Sequence, residues 1–192
     1  MTKDANLKKY SVYLAAGTGA FLLIPLIAMQ FSAEVVWTLS DFIFAGIFIF
    51  GTGMAYKLIT LKSEKTIFRV AVGSALFSGF ALIWINGAVG IIGSENNEFN
   101  ILYYLVIMIG IVGAFLSRFK AKGLARTMFA MVLGQTAIMV AALFTGMANV
   151  THSSVFEIIG VNALFITLFA VSGLLFNFSV EDEIKDQEES RS

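Results

Sequence analysis

The 192-residue chain has no cysteine, a single proline (Pro25), a single histidine (His152), and only 26 charged side chains, 13 basic and 13 acidic. Without cysteine there is no disulfide framework, no thiolate nucleophile and no cysteine-ligated metal. One histidine cannot supply the histidine pairs of an intramembrane haem or copper site, and it leaves zinc dependent on carboxylates from other loops. At 14% charged residues, against about 25% in soluble domains, the chain is too poor in charge for a soluble globular enzyme. Its basic and acidic residues balance, so it also lacks the positive surface that nucleic acids require. The phosphate-loop, dinucleotide-loop, HExxH and GxSxG patterns are missing, and no lysine lies inside an apolar run where it could carry a chromophore. No cofactor is implied.

What the chain has is apolar length, since 58% of its residues are hydrophobic. A helix crossing the hydrocarbon core needs about 20 predominantly apolar residues. Six runs meet that need, at 11–31, 35–57, 67–93, 99–117, 124–147 and 154–177. None alternates with period two, as membrane strands do. The first run is too long for a signal peptide, and Phe31 stands where cleavage wants a small residue. The expected fold class is all-α, a polytopic membrane protein with six transmembrane helices in one bundle. The bundle spans 1–180, and 181–192 form an acidic, solvated cytoplasmic tail.

Orientation follows from the basic residues, because loops rich in Lys and Arg stay on the cytoplasmic side. Lys3, Lys8 and Lys9 precede the first run. Lys57, Lys62, Lys65 and Arg69 surround the second connection, and Arg118, Lys120, Lys122 and Arg126 the fourth. Lys185 and Arg191 lie in the tail, and the three remaining connections hold neither residue type. Six spans put every basic residue on one side, with both termini cytoplasmic. Segments 15–30 and 71–86 also align, Gly17 with Gly73 and Gln30 with Asn86, a pattern that three hairpin repeats would produce.

The opposite face is acidic. Glu34, Asp41, Glu95, Glu98 and Glu157 lie at outer helix ends or in outer loops, with His152 among them. Asp41 is the most costly of these, set seven residues into the second run and two turns from Glu34 on one helical face. Such a carboxylate reads either as a cation or proton ligand or as a hydrogen-bonding partner that holds packing. Asn86 lies at similar depth on a face shared with Gly79, Gly90 and Gly93; it suits close helix contact or, if 86–93 unwinds, ion coordination. Glu98 fits a helix cap after Asn97, and Glu157 fits a capping box with Ser153 or Ser154. Gln135 and Asn162 read as hydrogen bonds between helices. Pro25 should kink the first helix near Phe21. Trp37, Trp84, Tyr103 and Tyr104 fit an outer aromatic belt.

The stretch Trp84-Ile-Asn-Gly-Ala-Val-Gly-Ile-Ile-Gly-Ser-Glu-Asn-Asn97, with flanking similarity over 34–146, resembles a family of uncharacterised small bacterial inner-membrane proteins. The resemblance implies a bacterial inner-membrane location and carries no catalytic residue across.

Two functions compete on these residues. One is binding or transport of a proton, metal cation or small cationic solute through an outward-facing polar cavity. Asp41, Asn86 and Glu34 would line that cavity, with Glu95 and Glu157 at its mouth; no metal is specified. The other is a structural or accessory subunit without ligand, packed against lipid, a second copy or a partner through glycine-rich helix faces. An interfacial enzyme acting on lipid or quinone has least behind it, since no acid–base pair shows at a recognisable spacing.

Overall fold

The computed structural model describes residues 3–150 and 153–189, and among them every regular element is helical. The order is α1 (Lys3–Phe31), α2 (Leu39–Thr60), α3 (Thr66–Ala88), a 3-10 turn (Glu98–Ile101), α4 (Leu102–Leu116), α5 (Ala121–Phe144), the one-turn α6 (Met147–Val150) and α7 (Val155–Glu189). Six segments are long and apolar enough to cross a bilayer: α1, α2, α3, the 3-10 turn continued by α4, α5 and α7. The chain is therefore an all-α, multi-pass membrane protein. It divides into two compact units, 1–61 and 62–192.

Several helix ends shift from the hydropathy boundaries, each for a local reason. α2 starts at Leu39 rather than 35, because Thr38 takes an extended conformation and caps it. α3 stops at Ala88 rather than 93, because Gly90 and Gly93 take φ values of +76° and +73°, which turn the backbone out of the helix. α1 continues through Pro25. Residues 15–30 and 71–86 lie wholly within α1 and α3.

In the first unit α1 and α2 pair. The Tyr10 hydroxyl donates to the Gly53 carbonyl at 3.1 Å, and the Lys57 ammonium lies 5.3 Å from the Tyr10 ring centroid. Gly53 leaves room for Leu14 at this approach: a Cβ there would stand 2.6 Å from Leu14 Cδ1 and push that side chain aside.

The second unit is built on α7. Its buried side chains include Ile158, Asn162, Phe165, Phe169, Ser172, Phe176 and Ser179. Their alternating steps of four and three are the spacing of a coiled-coil seam. α5 buries Leu124, Met128, Met131, Gln135, Ile138 and Ala142 at the same spacing, and α5 with α7 forms the most extensive helix pair. α3 joins α7 through a Phe68–Phe176 edge-to-face contact at 5.8 Å and a Ser74–Ser172 hydroxyl pair at 2.8 Å. α4 closes on α5 at Gly110, where a Cβ would meet Met131 Sδ at 2.9 Å. The outward residues of the same helices are large and apolar; Leu133 is 72% exposed and Phe144 88%. Hydrocarbon is the solvent that makes such a surface favourable.

α7 does not stop at the end of its apolar run. The acidic segment continues as exposed helix to Glu189. Lys65, just before α3, pins it with ion pairs to Asp182 (3.1 Å) and Asp186 (2.8 Å). Desolvation pulls the Lys65 pKa down, but hydrogen bonds and charge from Asp186 and Asp182 outweigh it and hold the ammonium above the ordinary lysine value.

Candidate functional site

Asp41 lies in the first turn of α2, not two turns inside it, and its carboxylate is engaged by its own helix start. One oxygen, Oδ2, accepts the Thr38 backbone N–H at 2.6 Å and the Thr38 hydroxyl at 2.7 Å. In return the Asp41 N–H reaches the Thr38 hydroxyl, completing a reciprocal capping box. Glu34 is exposed in the turn before Thr38, so it shares no helical face with Asp41; its N–H donates to Ser32 Oγ at 3.2 Å. Both residues belong to the first unit, whereas Asn86, Glu95 and Glu157 belong to the second.

Glu157 follows the Asp41 pattern. Its Oε2 accepts the Ser154 N–H at 2.7 Å, and its own N–H donates to Ser154 Oγ at 3.2 Å. Asn97 accepts the Phe99 N–H and starts the 3-10 turn at Glu98. Glu95 is exposed and takes a hydrogen bond from Asn96 Nδ2 at 3.1 Å. These acids are thus distributed over separate helix starts and loops. Among the described residues no group of three or more His, Asp or Glu side chains is placed to hold a metal. His152 falls outside the described residues.

Asn86 is buried at 3% exposure, and its Nδ2 donates to the Asn100 carbonyl at 3.0 Å. That bond leads to a feature the sequence reading passed over. Asn100, on the 3-10 turn, inserts its amide into the loop that follows α3. Its Oδ1 accepts the N–H groups of Ile91 (3.2 Å) and Ile92 (3.0 Å), while its Nδ2 donates to the carbonyls of Ile92 (3.2 Å) and Ser94 (2.8 Å). One side chain therefore satisfies four backbone groups of a loop that ends a membrane helix, where water is scarce. Gly90 is obligatory beside it: besides the positive φ, a Cβ there would stand 2.7 Å from Asn100 Nδ2. Ser153 Oγ accepts the Gly93 N–H at 2.8 Å, tying the loop to the residues before α7.

Deeper in the second unit, Asn162 of α7 is fully buried and its Oδ1 accepts two bonds, from Tyr103 OH (3.1 Å, α4) and Gln135 Nε2 (3.0 Å, α5). Gln135 and Asn162 thus link helices, as their positions suggest. Tyr103 does not join the aromatic belt; it is 1% exposed and turned into the protein, while Tyr104 faces outward. Two amide oxygens in this core, Asn86 Oδ1 and Gln135 Oε1, have no hydrogen-bond partner among the described residues.

No protein-family model, curated protein or solved structure matches the chain.

Proposed function

We infer that the protein serves as a non-catalytic membrane scaffold or accessory subunit in a bacterial inner membrane, with both termini and its basic connections on the cytoplasmic side. The Asp41 carboxylate carries this reading. The group that a cation-binding function needs most is engaged by the backbone N–H and hydroxyl of Thr38. Glu157 is used in the same way at the start of α7. The polar core residues Asn100, Asn162, Tyr103 and Gln135 act on their own loops and helices. Orientation rests on the placement of Lys and Arg, and the bacterial inner membrane on the resemblance of the 84–97 stretch.

The sign of a stability change at Asp41 tests the reading. As a cap, Asp41→Ala lowers the midpoint of SDS-induced unfolding, and Asp41→Asn, which can still accept a hydrogen bond, lowers it less. A carboxylate kept for a ligand behaves in the opposite way: without the ligand, neutralising it raises the midpoint.

A second reading, uptake of a cation or proton, draws support from the unpartnered oxygens of Asn86 and Gln135. Neutral amide oxygens suit a weakly hydrated cation. Asp41, Glu34, Glu95 and Glu157 would then act as an attracting outer field, not as direct ligands.

A further inference from the structure

The second unit has a cavity of about 490 Å³ at the end where its basic connections gather. Lys62, Arg118, Lys120 and Lys122 line it, with Glu183 as the one carboxylate. Apolar side chains of Phe68 and Val180 share the lining. The neighbouring cations are committed elsewhere: Lys65 to Asp182 and Asp186, and the Arg69 Nε–H to the Ser63 carbonyl. Lys62 is half committed, donating to the Arg118 carbonyl at 3.0 Å while its ammonium lies 5.0 Å from the Phe119 ring centroid. Arg118, Lys120 and Lys122 form no ion pair among the described residues.

Two features of the cavity disfavour the protein alone. Arg118 and Phe119 both take positive φ, 52° and 59°, in a conformation that side chains other than glycine rarely adopt. Immediately after them α5 begins with Lys120 as N-cap and Lys122 in its first turn, with no acidic residue there and no side-chain cap. Cations at the positive end of a helix dipole repel it. An anion seated among these lysines removes both the repulsion between them and their conflict with the helix.

We propose that this cavity binds the phosphate of an anionic phospholipid. Phosphate is the anion that an arginine and several lysines recognise together. Basic pockets at the ends of membrane helices hold such head groups. The lipid source is favoured over a soluble phosphate because the lining is mixed. Phe119 and Val180 are part-exposed, and Val180 belongs to the spanning helix α7, so a glycerol backbone and the first acyl carbons would meet apolar surface beside the cations.

The test uses the full-length protein in zwitterionic detergent, with lipid occupancy read by native mass spectrometry. Phosphatidylglycerol is expected to bind about tenfold more tightly than phosphatidylcholine, whose phosphate is accompanied by a choline cation that the same lining repels. The triple substitution Arg118→Ala, Lys120→Ala and Lys122→Ala is expected to erase that preference while leaving phosphatidylcholine binding unchanged. Glu183→Gln, which removes the opposing charge, is expected to raise phosphatidylglycerol affinity about threefold. The Glu183→Gln arm decides the matter if the triple variant does not fold. Equal affinity for the two lipids, a triple variant with the wild-type preference, or no gain in Glu183→Gln overturns the proposal. Displacement of the lipid by equimolar inorganic phosphate overturns the lipid source in favour of a soluble phosphate.

Discussion

Replacing Asn100 with alanine is expected to cost about 3–4 kcal/mol of stability, taking 1–3 kcal/mol for each buried backbone group left without a partner after relaxation. The substitution strips the acceptor from the N–H groups of Ile91 and Ile92, while the carbonyls of Ile92 and Ser94 lose one donor and keep Asn97 as another. Ile91 and Ile92 are themselves buried, at 4% and 0% exposure, so water cannot replace the lost bonds without opening the loop. The Asn86 amide would lose its anchor indirectly, because the Asn100 carbonyl it binds sits on the same turn. SDS-induced unfolding in mixed micelles measures the effect. A loss below about 1 kcal/mol would mean that the loop satisfies its backbone in another way.

The second large effect is at Asn162. Asn162→Leu is expected to destabilise the protein by about 2 kcal/mol, because the Tyr103 hydroxyl and the Gln135 amide then point at an alkyl group inside the hydrocarbon layer. Hydrogen bonds between membrane helices are individually weak, averaging about 0.6 kcal/mol in double-mutant cycles. The expected loss therefore comes mainly from stranded partners, and that has a consequence. Adding Tyr103→Phe and Gln135→Leu to Asn162→Leu leaves no polar group unpaired, and the triple variant is expected to be more stable than Asn162→Leu alone. If the three losses simply add, the network stabilises through its bonds rather than through mutual satisfaction.

Hydropathy carried the architecture because the bilayer sets a length that each span must meet, and six runs met it. It could not place the helix ends. Thr38 and Asp41 start α2 by a hydrogen-bonding motif that no apolar count registers, and Gly90 and Gly93 end α3 through backbone conformation alone. The depth assigned to Asp41 followed from the misplaced start of α2, and with it the shared face with Glu34. Glu157 was legible because Ser154-Val-Phe-Glu157 has the spacing of a capping box. Asn100 was not, although a signal exists: an asparagine seven and eight residues after Gly93 and Ile92, beyond a loop with two glycines, is well suited to fill that loop with its amide. The seam of α7 was also present in the sequence. Its steps of four and three are obscured because apolar residues cover the lipid-facing side of the helix as well. The basic cavity needed two connections and the far end of α7 brought together in the second unit, which no single stretch of sequence displays.

The central claim is that the acidic and amide groups of this protein serve its own helices and loops and do not wait for a ligand. The thermal unfolding midpoint of the wild-type protein, followed while sodium, potassium, magnesium, calcium and zinc chlorides are varied one at a time and while pH is lowered, tests it most directly. A cation present at a hundred times its Kd would add about 2.7 kcal/mol to the folded state. The account predicts midpoints that track ionic strength alone as the salts are varied, alike for every cation of the same valence and unchanged in that pattern by Asp41→Asn or Asn86→Leu. It also predicts midpoints that fall as pH is lowered, because the capping and paired carboxylates are then protonated. A saturable rise with one cation, or on protonation, that disappears in either variant would contradict it.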